Sequence, residues 1–144
     1  MTRLTAFKAY DIRGRIGHDI DAAFCTKLGR AVAHVTGASR VVLGADARET
    51  SPAFKAALAQ GLSEAGLRVS DIGFCGTEEV YFATDHLKAD LGLMVTASHN
   101  PMDYNGMKMV PSGTAPIGAA DGMDAIAALA ERGAFGEGKP AGSV

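Results

Sequence analysis

The chain has 144 residues, of which 47% are hydrophobic and 21% are charged, and its formal net charge is −2. This length corresponds to one domain with a core of its own, and the composition excludes an intrinsically disordered chain. The slightly negative charge argues against a nucleic-acid-binding protein or a basic membrane-surface protein, and no apolar run reaches the ~18 residues of a spanning helix.

The termini and the cysteines give expectations about the compartment. Residues 1–4 lack the apolar region of a signal peptide, which predicts a cytoplasmic protein. The two cysteines, Cys25 and Cys75, are predicted to be reduced and buried.

Helical and strand patterns alternate along the first half of the chain. An amphipathic helix is predicted over 21–36, with Gly37 as its C-terminal stop, followed by a buried strand at 41–43. A second helix is predicted to begin at Ser51-Pro52, with Ser51 as its N-cap, and to end at Gly66.

The same alternation continues in the second half. A strand is predicted at 67–74, a helix at 78–87 and a strand at 91–95. Asn105-Gly106 predicts a tight turn before a last strand at 107–110, and a final helix is expected over 121–132. This order predicts an α/β fold, a three-layer α/β/α sandwich with a mixed, mostly parallel sheet. We expect residues 1–132 to form the domain and the glycine-rich residues 133–144 to be a linker or a disordered tail.

The segment with the clearest chemical character directly follows the strand at 91–95. It contains Ser98, His99 and Asn100 among small polar residues, and Pro101 ends it. Ligands of such sheets bind beyond the carboxyl ends of the strands, so Ser98 is well placed to act as a nucleophile or to be phosphorylated. A polar loop with a capping serine is the alternative from local composition alone. A serine hydrolase is disfavoured, because the G-x-S-x-G elbow is missing and adjacent side chains on an extended loop point apart.

Basic and polar groups stand near other predicted strand ends and turns. They are the segment 10–14, which contains Arg13, the segment 46–48, which ends in Arg48, and Lys108 after the Asn105-Gly106 turn. Arginine and lysine are suited to binding phosphate. Each of them taken alone also fits a surface charge or a salt bridge.

Together these segments resemble the α-D-phosphohexomutase family. The run 95–108 resembles the family's phosphoserine loop, 7–14 its opening segment and 44–48 its next motif. The run 76–82 is most similar to bacterial phosphomannomutases that supply GDP-mannose and surface-polysaccharide synthesis. The resemblance extends over about residues 4–132, with the motifs in the family's order.

The resemblance implies a function for these residues. Ser98 would be phosphorylated in the resting enzyme, would transfer its phosphoryl group to a hexose phosphate through a hexose 1,6-bisphosphate, and would bind Mg²⁺ through its phosphate. His99 and Lys108 would lie beside the transfer. The resemblance places Tyr10, Arg13 and Asn100 at the substrate. These roles fit phosphoryl transfer, which depends mainly on positioning and charge neutralisation.

The resemblance covers only the first of the family's four domains. The family's acidic Asp-Gly-Asp-x-Asp-Arg metal loop is not found in the sequence. We therefore expect a fragment that contacts the remaining domains of a longer enzyme, binds hexose phosphate and is inactive alone. The alternatives are a phosphoglucomutase and a free-standing, non-catalytic phosphosugar-binding domain.

Overall fold

A computed structural model describes residues 7–8, 11–17, 20–96, 104–111, 126 and 142–144; for residues 7, 8, 11–14, 110 and 111 it describes the backbone only. The elements in chain order are β1 (Phe7–Lys8), β2 (Asp11–Arg15), α1 (Ala22–Thr36), β3 (Arg40–Ala45), α2 (Ser51–Glu64), β4 (Arg68–Phe74), α3 (Thr77–His86), β5 (Leu91–Val95) and β6 (Tyr104–Pro111).

The strands form one mixed sheet in the order β1-β2-β6-β5-β3-β4. The strand β3 pairs in parallel with both β4 and β5, whereas β6 is antiparallel to β5 and β2, and β1 is antiparallel to β2. The strands β2, β3, β4 and β5 therefore run in one direction, and β1 and β6 run in the other. This confirms the predicted mixed, mostly parallel sheet.

Helices cover both faces of this sheet. On one face, α1 and α2 pack through residues such as Leu28 and Leu58 against Leu43 and Leu93 of the central strands. On the other face, Val80 of α3 belongs to a second cluster that also contains Val42 and Met94. Alternate residues of β3 and β5 thus face different helices, as expected of a sheet that is buried on both sides. The predicted three-layer architecture is confirmed.

The predicted last helix, 121–132, lies mostly outside the described residues. Ile126 is described as helical and fully buried, and it belongs to the cluster on the α1 and α2 face. Near the end of the chain, Ser143 forms a parallel bridge with Arg68 at the edge strand β4, where its carbonyl oxygen accepts from the Val69 N–H at 2.7 Å. The domain boundary at residue 132 remains a prediction.

The first helix has the predicted ends, whereas the second begins differently. The Asp21 Oδ1 atom accepts from the Phe24 N–H at 2.7 Å, and Gly37 ends α1 with a φ of 65°. Ser51 was predicted to cap α2, but Thr50 occupies the N-cap position and makes no side-chain cap bond. The Ser51 hydroxyl donates instead to the Asp46 carboxylate, an acceptor that outcompetes the helix end.

Two further sequence predictions need correction. The Asn105-Gly106 pair does not form a turn, because it lies inside β6, where Asn105 is opposite Gly14 and Gly106 is opposite Arg13. Residues 7–8 and 11–15 form the strands β1 and β2, which were not predicted. The strand β2 pairs with β6 over a long range, and β1 pairs with β2. Local turn propensity carries no information about such strand pairing.

The two helices on one face approach each other closely at a pair of glycines. A Cβ atom added at Gly29 of α1 would lie 2.6 Å from the carbonyl oxygen of Leu58 in α2, and one added at Gly61 would overlap the carbonyl oxygen of Thr26. Any side chain at either position would therefore push the helices apart. This contact fixes how closely α1 and α2 pack together on one face of the sheet.

The glycine contact predicts an unusual response to alanine. Gly61→Ala should destabilise the fold by about 1–3 kcal/mol, because the added methyl group overpacks the interface. At an open helical position the same change would be stabilising by about 1 kcal/mol. Gln60→Ala, on the exposed side of the same helix, should change stability by less than about 0.5 kcal/mol. Chemical denaturation of the 144-residue chain measures both; equal stability of the two variants would contradict the close helix contact.

Both cysteines are free and buried, on opposite faces of the sheet. Burial, helped by the nearby Asp21 carboxylate, raises the pKa of Cys25 to about 12. Burial also raises the pKa of Cys75 above its ordinary value. Since the thiolate is the reactive form, both thiols should be unreactive in the folded chain.

A thiol reagent tests this inertness. At pH 8 the native chain should react slowly with a disulfide reagent, with Cys75, which is 8% exposed, faster than Cys25, which is 4% exposed. In denaturant both thiols should react at once. Rapid stoichiometric labelling of Cys25 in the native chain would contradict its described burial.

Candidate active site

The loop that carries Ser98 connects two neighbouring antiparallel strands, β5 and β6. Ser98, His99 and Asn100 lie outside the described residues, but both ends of their loop are described. At the first end the Thr96 N–H donates to the carbonyl oxygen of Gly106 at 3.0 Å. The loop therefore emerges at the carboxyl end of β5, the edge of the sheet where ligands of such folds bind.

Lys108 is one of the basic residues predicted at the site. It lies in β6, half-buried, opposite Met94 of β5 and Asp11 of β2. The backbone of Arg13 is opposite Gly106, two residues nearer the loop, and Tyr10 lies outside the described residues. The sheet thus brings the segments of Arg13 and Lys108 into adjacent strands beside the end of the serine loop.

Asp46 is the first residue after β3, and its N–H donates to the carbonyl oxygen of Val95 at 3.1 Å. The carboxylate accepts hydrogen bonds at both of its oxygens. Its Oδ1 atom accepts from the Arg48 N–H at 3.0 Å and from the Ser51 hydroxyl at 2.6 Å, and its Oδ2 atom accepts from the Thr96 hydroxyl at 2.6 Å. Asp46 therefore binds the residue immediately before the serine loop.

Arg48 lies between the two ends of that loop. Its Nε atom is 3.5 Å from Asp46 Oδ2, and one of its terminal nitrogens donates to the carbonyl oxygen of Tyr104 at 3.2 Å. Tyr104 is the first residue after the loop. The side chain of Arg48 is 9% exposed. The sequence placed Arg48 among the candidate phosphate ligands, whereas these described contacts are with the protein itself.

Asn105 connects β6 to the start of α2. Its side-chain nitrogen donates to the hydroxyls of Thr50 at 2.8 Å and of Ser51 at 3.1 Å, and its side-chain oxygen accepts from the Gly106 N–H at 2.8 Å. Asn105 and Ser51 are fully buried. Buried polar groups of this kind are costly unless they are hydrogen-bonded, so this set of partners is stabilising only as a unit.

Asp46, Arg48, Ser51, Thr96 and Asn105 are called the stem network below. Sequence analysis missed Ser51, Thr96 and Asn105 as members, because it interpreted Ser51 as a helix cap and Asn105 as a turn residue. A usable signal was present for two of them, since Thr96 directly follows a predicted strand and Ser51 begins a predicted helix, whereas Asn105 precedes the predicted strand at 107–110. Those positions meet at one edge of the sheet.

The bacterial phosphomannomutase-like segment begins α3. Gly76 is its N-cap residue, and the Gly76 N–H donates to the Glu79 carboxylate at 3.0 Å. Val80 is fully buried, whereas Tyr81 and Phe82 are 51% and 68% exposed. This segment therefore presents two aromatic side chains at the surface of the described fold.

Two kinds of feature are absent from the part of the chain that the structure describes. It contains no cluster of three or more His, Cys, Asp or Glu residues able to hold a metal ion, and both oxygens of the nearby Asp46 carboxylate already accept hydrogen bonds. The described residues therefore do not provide a magnesium site by themselves. None of the described helices combines the length and the hydrophobicity needed to cross a membrane.

Comparison with curated proteins identifies close relatives. The chain is 55% identical over 135 residues to a phosphomannomutase of Salmonella typhimurium. The matched region covers 94% of this chain and 30% of the Salmonella protein. The chain is 50% identical to a phosphomannomutase sequence of Klebsiella pneumoniae, covering 94% of this chain and 86% of that sequence. The chain thus spans about 30% of the length of the Salmonella and Escherichia coli relatives.

A solved structure and a family model agree with these relatives. The fold matches a phosphoglucomutase/phosphomannomutase family protein from Burkholderia thailandensis with a TM-score of 0.86 and 38% identity, over 99% of this chain and 33% of that one. Residues 4–137 match the family model described as phosphoglucomutase/phosphomannomutase, alpha/beta/alpha domain I. The chain therefore belongs to the phosphoglucomutase/phosphomannomutase family and comprises its domain I.

Proposed function

We propose that this chain is the first domain of a phosphomannomutase, which interconverts mannose 6-phosphate and mannose 1-phosphate. The observation that carries the proposal is the 55% identity to a phosphomannomutase across nearly the whole domain. In this proposal the remaining domains of the full-length protein complete the substrate cleft. The enzyme is an isomerase of carbohydrate metabolism, and we extend the proposal to a cytoplasmic role in GDP-mannose synthesis.

The proposed chemistry is two phosphoryl transfers through Ser98. A free hydroxyl of the hexose phosphate attacks the phosphorus of phosphorylated Ser98. The bond from phosphorus to Ser98 Oγ breaks, the sugar hydroxyl loses its proton, and Oγ gains one. The resulting hexose 1,6-bisphosphate turns over in the cleft. Ser98 Oγ, losing its proton, then attacks the other phosphoryl group, and the released sugar oxygen is protonated. Storage of the group on serine divides one difficult isomerisation into two similar steps.

The proposed roles of the neighbouring residues follow from charge. Lys108, half-buried in β6 near the loop, stabilises the charge that spreads over the transferring phosphoryl oxygens. His99 exchanges a proton with the reacting oxygen or orients the loop. The residues proposed to bind the substrate are Tyr10, Arg13 and Asn100. For Arg13 the support is that its backbone pairs with Gly106, which places β2 beside β6.

Magnesium belongs to the proposal only with ligands from outside this chain. A divalent ion on the phosphate of Ser98 would neutralise part of its charge of about −2. The family's acidic metal loop is not found in this sequence, so we propose that the other ligands come from the remaining domains. Hexose 1,6-bisphosphate is the proposed activator, since it can phosphorylate Ser98.

Glucose phosphates are the alternative substrates. The Burkholderia structure bears the name of both mutase activities, whereas the curated relatives above are named phosphomannomutases. We therefore expect the full-length enzyme to have a higher kcat/KM for mannose 1-phosphate than for glucose 1-phosphate.

The isolated domain should be inactive. The purified 144-residue chain, given Mg²⁺, hexose 1,6-bisphosphate and either hexose phosphate, should show no mutase turnover above the buffer rate. The reason is that the metal ligands and much of the cleft lie on other domains in this proposal. A coupled assay for the product measures the rate. Turnover comparable with that of a full-length relative would contradict the multi-domain proposal.

Substitutions in the full-length enzyme should show a fixed order of severity. Ser98→Ala should lower kcat by several orders of magnitude, because no neighbouring hydroxyl has the same position and a shift of ~1 Å can cost about 100-fold. Lys108→Ala should cost about 100- to 1000-fold, as loss of one charge-stabilising donor does elsewhere. His99→Asn should be the mildest of the three. Steady-state kinetics with melting curves test the order, and full turnover by Ser98→Ala would refute the proposed mechanism.

A further inference from the structure

The segment 97–103, which lies outside the described residues, connects Thr96 after β5 with Tyr104 at the start of β6, and one carboxylate is linked to both of these end residues. Asp46 accepts directly from the Thr96 hydroxyl at the first end. It also contacts Arg48, which donates to the Tyr104 carbonyl oxygen at the second end. A single anionic group therefore connects the two ends of the loop, although Asp46 is 50 residues away from Thr96 in sequence.

These contacts differ from an ordinary surface ion pair. The side chain of Asp46 is 23% exposed, but its partners are more deeply buried: the side chain of Arg48 is 9% exposed, Thr96 is 8% exposed, and Ser51 is fully buried. Side chains that are screened from water keep their electrostatic interactions, whereas exposed pairs contribute little. Removing the carboxylate would take away the acceptor described for the Ser51 and Thr96 hydroxyls and the anionic partner of Arg48, which would keep its hydrogen bond to the Tyr104 carbonyl oxygen.

A second connection fixes the same region from the side of α2. Ser51 donates to Asp46 and accepts from the Asn105 side chain, which is in β6 directly after Tyr104. The path Thr96, Asp46, Ser51, Asn105 thus joins the end of β5 to the start of β6 through the first turn of α2. The close glycine packing of α2 against α1 gives this path a rigid support.

We propose that Asp46 is a positioning residue for phosphoryl transfer: it holds both ends of the Ser98 loop in register, so that the seryl oxygen is presented at a fixed point. This inference rests on the proposed function of Ser98 and adds a role that lies outside the loop. Asp46 itself touches neither the substrate nor the phosphoryl group in this account. Because transfer rates fall about 100-fold for a displacement of ~1 Å, looser loop ends should slow the chemical step.

The test uses a matched set of variants in the full-length enzyme. Asp46→Asn removes the charge at constant size. Thr96→Val removes only the hydroxyl that Asp46 accepts from, and Thr96→Ser restores it. Asp90→Asn is the control, because Asp90 accepts from the N–H groups of Ser39 and Arg40 at 2.9 and 3.0 Å and so links the amino ends of β3 and β5, the edge opposite the loop.

Kinetics should separate the positioning role from stability. Asp46→Asn and Thr96→Val should each lower kcat about 10- to 100-fold with a much smaller change in KM, because the loop delivers the transferred group. Thr96→Ser should stay near the wild-type rate. The loss of kcat in the double variant Asp46→Asn/Thr96→Val should be smaller than the product of the two single losses, since both substitutions remove the hydrogen bond from the Thr96 hydroxyl to the carboxylate. Asp90→Asn should lower the melting temperature and leave kcat unchanged.

Hydrogen exchange provides a readout that does not depend on turnover. Peptides covering 96–106 should exchange faster in Asp46→Asn and Thr96→Val than in the wild type. In Asp90→Asn the exchange rate of the same peptides should equal that of the wild type. If Asp46→Asn does not fold, the comparison of Thr96→Val with Thr96→Ser decides the question. Wild-type kcat in a folded Thr96→Val or Asp46→Asn enzyme, or an equal loss of kcat in Asp90→Asn, would overturn the positioning role. If instead Ser98→Ala retains turnover, the proposed function fails, while the exchange data still show whether Asp46 fixes the loop.

Discussion

The carboxylate of Asp46 is the contact on which the arrangement of the candidate site depends. It is placed by the parallel pairing of β3 with β5, since its own N–H bonds to the last residue of β5. From there it accepts hydrogen bonds from hydroxyls on a strand end and on a helix start. A carboxylate has about four acceptor positions, so one residue can join several elements at a point where no backbone ladder continues.

The rest of the fold can be understood as the support for this point. Leu43 and Leu93 fix β3 and β5 in the core beneath α1 and α2, and Val42 and Met94 do so beneath α3. The glycine contact brings α1 and α2 close together on their face of the sheet. Burial supplies the stability, and the polar residues determine where the connecting loop begins and ends. This frame is compatible with the proposed phosphoryl transfer, a reaction whose rate depends mainly on positioning.

Local sequence patterns predicted the frame well and the stem network poorly. The helix at 21–36 was predicted from apolar periodicity and the strand at 91–95 from a short apolar run, signals that burial imposes directly on sequence. By contrast, Ser51 was interpreted as a cap and Asn105 as a turn residue. The partners that determine their roles lie elsewhere in the chain: the Asn105 amide bonds to a hydroxyl 54 residues away. The strand β2 was missed for the same reason, since its pairing with β6 is a long-range contact, and β1 pairs in turn with β2. Ser98 was singled out from its motif, and its role in this chain remains a prediction.

The central claim is that Ser98 carries the transferred phosphoryl group. The most direct measurement is peptide mapping by mass spectrometry of the full-length protein after incubation with Mg²⁺ and hexose 1,6-bisphosphate. The account predicts one added phosphoryl group, located on Ser98, which disappears when the protein is then given excess unphosphorylated hexose monophosphate acceptor. A phosphoryl group on any other residue of an active enzyme, or full activity with no phosphorylated serine at any stage, would contradict it.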